Sequence, residues 1–181
     1  MAGPPDQARA AGCAALLALA TERPWRQITL RDVAERAGLP LAELYSVASS
    51  KEALLADLAA RQDTAALATA ETPSDDVHDR LFDATMARVE AMQPDRAPLI
   101  AIAREASALV LAPHFPRTAR AILEAAGVEA TSARVIAMTL VWARVAQVWR
   151  DDEGALNRTM AEIDQRLKQM RVRLARIGAG F

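Results

Sequence analysis

The stretch from Thr29 to Ala53, TLRDVAERAGLPLAELYSVASSKEA, constrains this chain more than any other. Thr29 and Asp32 stand at the spacing of a capping box. Leu30, Val33, Ala34 and Ala37 then recur at helical intervals, which gives one apolar face. Gly38 ends that helix, because glycine enters the left-handed conformation without steric penalty. Pro40 suits the first turn of a second helix, where its missing N–H costs little. That helix runs to about Ser46 or Val47, and Ser49 with Glu52 opens another at capping-box spacing. Two short helices joined by a glycine turn describe a helix-turn-helix over residues 29–48.

The rest of the composition allows one class. The 181 residues can bury a real core and hold one or two small domains. Alanine and leucine dominate, aromatics are scarce and no alternating run is present, so an all-α protein is expected. The apolar runs are short and interrupted by charge, so no stable membrane insertion is expected. The first nine residues carry two prolines and Asp6 and make a poor signal peptide. A single cysteine, Cys13, excludes an intrachain disulfide and reads as a small buried apolar residue. A cytoplasmic setting is the expectation.

In chain order, residues 6–21 read as a helix with Leu16, Leu19 and Ala20 inward, and Pro24-Trp25 breaks it, with Trp25 plugging the base. Residues 50–68 form the next long helix. Thr72-Pro73-Ser74-Asp75 has the chemistry of a helix start and sets a boundary between domains at 6–68 and 73–178. Helices follow to Gln93, over 97–111 with a stripe of Leu99, Ile102, Ala103, Ala106 and Leu109, and over 117–126. Residues 131–150 are apolar nearly all round, so this helix must be covered on nearly all sides. Asp151-Asp152-Glu153-Gly154 turns the chain. Leu156, Met160, Ile163, Leu167, Met170 and Leu174 then alternate at spacings of four and three, which is a heptad seam. A seam of this kind closes either on the chain's own core or on a second copy.

Enzyme chemistry finds little support. His78 and His114 are the only histidines, and neither has a second ligand at metal spacing. His78, amid Asp76, Asp79 and Arg80, reads as a solvated helix residue, and His114 as part of a proline turn. Ser49 and Ser50 fit capping, and no glycine-rich phosphate loop occurs. No catalytic residue, metal or cofactor is expected.

The helix-turn-helix resembles the DNA-binding domain of the TetR family of transcriptional regulators. The matching residues are Ile28-Thr29, Arg31-Asp32-Val33-Ala34, Ala37-Gly38, Leu44-Tyr45 and Ser50-Lys51-Glu52-Ala53-Leu54, and Ala14 to Pro24 resemble the family's first helix. The resemblance implies a TetR-like all-α homodimer, with an N-terminal three-helix domain and a larger ligand-binding and dimerisation domain. It assigns the last two helices to a four-helix dimer interface, with Val135, Val145, Trp149, Met160, Ile163, Leu167, Met170 and Leu174 as the expected contacts. A small apolar or lipid-like ligand is expected among Phe82, Met86, Leu99, Ile102, Ala103, Met138 and Trp142. The expected DNA contacts are Thr29, Pro40, Leu41, Ala42, Tyr45, Ser46 and Lys51.

The reading helix departs from the family pattern. No lysine or arginine lies between Gly38 and Ser50, and Glu43 sits among the reading positions. Residues 1–60 are close to neutral: Arg9, Arg23, Arg26, Arg31, Arg36 and Lys51 face Asp6, Glu22, Asp32, Glu35, Glu43, Glu52 and Asp57. A DNA-reading domain is usually basic. A second resemblance covers Trp149-Arg150-Asp151-Asp152 and Thr159 to Leu167, which are similar to bacterial relatives of the ubiquinone-biosynthesis accessory proteins. Those proteins share the fold, bind a lipid and do not act on DNA. Their additional C-terminal amphipathic membrane helix is not expected after Phe181. The expected function is ligand-responsive regulation, most often repression, on a double-stranded DNA operator. The alternative is a lipid-binding accessory protein that has lost DNA.

Overall fold

The computed structural model describes residues 3–106, 108–152 and 155–181, and among them every regular element is helical. The chain divides into two compact units, residues 1–60 with 94–111, and residues 61–93 with 112–181.

The first unit is built on α1 (Pro4–Glu22), α2 (Leu30–Ala37), α3 (Leu41–Val47) and the first half of α4 (Lys51–Ala68). Thr29 and Asp32 close the capping box in both directions, Asp32 N–H donating to Thr29 Oγ1 at 3.2 Å and Thr29 N–H to Asp32 Oδ2 at 2.7 Å. Gly38 takes φ +68°, where a Cβ would be strained. Leu44, fully buried, ties α3 to a core of Leu16, Leu19, Trp25, Ile28, Val33 and Leu54. Gly12 on α1 lets that core close, because a Cβ there would stand 2.7 Å from Leu44 Cδ1 and 3.1 Å from Leu54 Cδ2. Cys13 is buried, and its thiol donates to the Leu54 carbonyl at 3.4 Å.

This unit also takes in α6 (Arg96–Glu105) and α7 (Ala108–Leu111). Ile102 is 1% exposed in the core just described, and Leu99 and Ala106 pack against it. The division therefore does not follow the boundary at Pro73. An apolar stripe on α6 requires an apolar partner, and the partner it meets is α1. The expected single helix over 97–111 is two elements, and the side chain of Leu109 lies outside the described residues.

The second unit holds the end of α4, α5 (Val77–Glu90), α8 (His114–Ala125), α9 (Ser132–Asp151) and α10 (Asn157–Arg176). Asp76 caps α5 by accepting from the His78 N–H at 2.6 Å, so the helix starts later than Thr72-Pro73 suggests. His78 is not a solvated residue. Its Nε2 lies 2.9 Å from Asp164 Oδ1 and joins α5 to α10. The start of α10 is capped from upstream: Asp152 Oδ2 accepts from the Thr159 N–H at 2.8 Å and the Thr159 hydroxyl at 2.7 Å. Glu153 and Gly154, expected in the turn between these helices, lie outside the described residues. Leu156 precedes α10 at φ +60°, so the seam begins after it.

Burial opposes ionisation of Asp152, but the Thr159 hydroxyl and N–H, with Arg158, outweigh it and hold its carboxyl below the ordinary 3.8. A carboxyl depressed in the folded state adds stability above its unfolded pKa and loses it as pH falls through the folded value. Thermal melts taken from pH 6 downward should therefore show stability lost below about pH 4, and Asp152→Asn should flatten that part of the profile. An unchanged acid limb in the variant would remove this residue from the account.

Candidate functional site

The first candidate is the outer face of α3. Leu44 points into the core, and Pro40, Leu41, Ala42, Glu43, Tyr45 and Ser46 are all exposed around it. Tyr45 is 61% exposed and Leu41 39% on this seven-residue helix. The Ser46 hydroxyl donates to the Glu43 carbonyl at 2.7 Å. Thr29 is exposed, but its side chain is engaged in the capping box with Asp32, whose carboxyl is held below its ordinary value by the Thr29 hydroxyl and N–H and by Arg23.

Lys51 has partners within the first unit. Its ammonium donates to the carbonyls of Trp25 at 2.6 Å and Ile28 at 2.8 Å, and it lies 4.5 Å from the centre of the Trp25 ring. Two of the ammonium's three donors serve these carbonyls, which leaves one for any further acceptor. Lys51 is therefore a clasp between the segment before α2 and the start of α4. Arg9, Arg23 and Arg36 are likewise engaged, with Asp57, Asp32 and Glu22. Arg26 and Arg31 are exposed and form no ion pair among the described residues. They flank Thr29 and are the cations that reading the sequence for α3 passed over. Their signal was positional: both lie beside the start of α2 rather than on the reading helix.

The second candidate is the core of the second unit. Asp63 on α4 and Arg88 on α5 are both 5% exposed at the side chain, and Arg88 Nε stands 2.7 Å from Asp63 Oδ1. The same oxygen accepts from the Thr118 hydroxyl of α8 at 2.8 Å. Trp142 of α9 covers the guanidinium, 5.2 Å from its ring centre. Four helices thus meet at one buried polar node. The node is half satisfied. Arg88 Nη1 and Asp63 Oδ2 are buried without a hydrogen-bond partner among the described residues, and the Arg117 Nε stands 3.8 Å from Oδ2. Leaving a buried donor or acceptor unmade costs about 1–3 kcal/mol. Burial presses the Arg88 guanidinium towards its neutral form, against the hydrogen bond and charge of Asp63.

The expected ligand residues fall into two groups. Met138 and Trp142 are buried in the second unit, and Phe82 and Met86 are half-buried there. Leu99, Ile102 and Ala103 belong to the first unit, for the reason given above. Asp63, Arg88 and Thr118 were not foreseen, since they lie far apart in sequence and no local spacing links them.

The expected dimer contacts lie mostly inside the protomer. Val135, Val145, Trp149, Ile163, Leu167, Met170 and Leu174 are all buried within one chain, and only Met160, at 42%, is exposed. The seam of α10 closes on α9 and α5 of the same protomer. The Trp149 indole N–H donates to Gln93 Oε1 at 3.2 Å. Of its large apolar residues, α9 leaves Ile136 at 64% and Leu140 at 65% outside. Beside Leu140 runs an apolar groove of about 110 Å³ between α9 and α10, lined by Ala137, Leu140, Val141, Arg166, Gln169, Met170 and Arg173.

Comparison with solved structures decides the fold. A TetR transcriptional regulator from Rhodococcus sp. RHA1 superposes with a TM-score of 0.68 at 19% identity, over 93% of this chain and 98% of that one. The chain has the TetR-regulator fold. The fatty acid degradation regulator FadR from Bacillus halodurans is also similar, with a TM-score of 0.55 at 14% identity, over 94% of this chain and 96% of that one. No family model and no curated protein matches the sequence. In this TetR-like fold, α2 and α3 are the helix-turn-helix, and α9 and α10 are the last two helices. Among the described residues no helix is long and apolar enough to cross a membrane.

Proposed function

We propose that the protein is a ligand-responsive transcriptional regulator that grips double-stranded DNA as a homodimer, with repression its usual output, and that it is not an enzyme. The observation that carries this reading is the α3 face. Six consecutive-face residues, Pro40 to Ser46 without Leu44, stand outside on a helix held rigidly by Gly38, Gly12 and Leu44. A helix so held, in a TetR-like fold, suits the major groove. Leu41 and Ala42 offer apolar surface for thymine methyls, and the face carries no arginine fork for guanine, so base discrimination is low. Phosphate contact falls to Arg26, Arg31, Tyr45 and the N-terminus of α2. A cytoplasmic setting belongs to this reading.

The test is retardation of promoter and random DNA across a salt series. Arg31→Ala should weaken binding to all sequences alike and reduce the salt slope by about one unit. Lys51→Ala should instead lower the melting temperature, because it removes a charged donor from two carbonyls, and should leave the slope of the folded fraction unchanged. No retardation at low salt would reject the regulator.

One observation favours a second reading, a TetR-fold lipid-binding accessory protein without DNA. Most basic residues of the first unit are tied up by internal partners, and Glu43 stands exposed on the reading face. The name of FadR makes fatty acyl compounds the first ligands to try under either reading.

The homodimer in this proposal rests on the outer faces of α9 and α10. Ile136 and Leu140 stand one turn apart on α9, and the groove beside them is apolar with Arg166 and Arg173 at its rim. A two-fold contact would seat each Leu140 in the partner's groove.

A further inference from the structure

We propose that Arg88 is the receptor for the carboxylate of an amphiphilic acid, which binds in the second unit by taking over from Asp63. The inference rests on the ligand-responsive reading above and names the class of ligand.

Arginine and carboxylate pair best fork to fork, two parallel N–H···O bonds on two oxygens. Arg88 and Asp63 do not. One oxygen, Oδ1, takes both the Arg88 Nε–H and the Thr118 hydroxyl, while Oδ2 and Arg88 Nη1 make no hydrogen bond among the described residues. The guanidinium thus keeps a buried donor that meets no acceptor among the described residues. A network left half made is costlier than an apolar core of the same shape. An incoming carboxylate supplies the missing acceptor.

Charge points the same way. Arg88 and Arg117 carry two positive charges around the single negative charge of Asp63. One monoanion brings the group to neutrality. An ammonium would add to the excess, and a neutral alcohol would leave it. Arg117 is 60% exposed and stands 3.8 Å from the buried oxygen, so the positive charge extends from solvent to the node. Beside these charges the node has apolar and small side chains. Trp142 lies against the guanidinium, Met138 stands one turn from it on α9, and Ala84 and Thr85 stand one turn from Arg88 on α5, all buried. That setting suits a hydrocarbon body behind an acid group. Once the acid holds Arg88, Asp63 keeps only Thr118 and Arg117, and the end of α4 loses its tightest contact in this node.

The experiment compares decanoate with decanol on the intact protein, by calorimetry and native mass spectrometry. Decanoate should bind at least about tenfold tighter, a difference equal to one charged contact. Arg88→Gln should bring the two ligands to equal affinity, and Arg88→Lys, which keeps the charge without the fork, should fall between. Arg117→Ala should weaken decanoate by about two- to fivefold, less so at high salt. Should Arg88→Gln fail to fold by circular dichroism, the wild-type preference and Arg88→Lys still decide. Equal binding of acid and alcohol by the wild type overturns the proposal while leaving the ligand domain standing. Binding of neither overturns both. Acid preference that survives in the folded Arg88→Gln protein moves the receptor elsewhere.

Discussion

Asp63→Ala should be the most damaging single substitution in the second unit. It leaves Arg88 buried with no counter-charge, and removing one partner of a buried pair costs about 3–5 kcal/mol. Arg88 cannot escape by losing its proton, since arginine stays charged in proteins. Chemical denaturation should show that loss directly. The double change Asp63→Leu with Arg88→Met should recover most of it, because no charge is then left in the core. A double variant no more stable than Asp63→Ala would mean that Thr118 and Trp142 need the polar partners for packing. The two positions touch, so their effects are not additive, and the cycle measures the coupling.

The second large effect is expected at Ile163. It is fully buried on α10, and the change Ile163→Ala removes buried methyl groups, at a cost of about 2–5 kcal/mol. Because the seam closes within the protomer, that loss should not depend on protein concentration. Leu140→Glu should behave in the opposite way. Leu140 is 65% exposed, so the monomer tolerates the change, while a two-fold contact through this face would be broken. Sedimentation of the wild type and Leu140→Glu, beside melts of Ile163→Ala at two concentrations, separates the roles. A monomeric wild type at micromolar concentration would end the dimer proposal. A concentration-dependent loss in Ile163→Ala would return the seam to the interface.

These residues show what a sequence makes legible. The helix-turn-helix was readable almost residue by residue, because its limits are set by local chemistry: Thr29 and Asp32 cap each other, and Gly38 accepts φ +68°. The stripes on α6 and α10 were readable as stripes. Their partners were not, since periodicity states that an apolar surface must be covered and is silent on what covers it. Ile102 turns to the core around α1, and Leu167 turns to its own chain. The partners of Lys51 were not readable, because a lysine at a helix start looks the same whether it meets phosphate or the carbonyls of Trp25 and Ile28. The Asp63–Arg88 node had no signal at all, because buried charge in a sequence is indistinguishable from the solvated charge that most helices carry.

That node also limits how the sequence can drift. A single-step change at either position strands a charge in the interior, and a change at both does not. Natural variation at the two sites should therefore be all or nothing: relatives carrying an acid where Asp63 stands should carry a base where Arg88 stands, and relatives lacking one should have replaced both with apolar residues. Intermediates, one acid without its base, should survive only where a permanently bound small molecule fills the missing half.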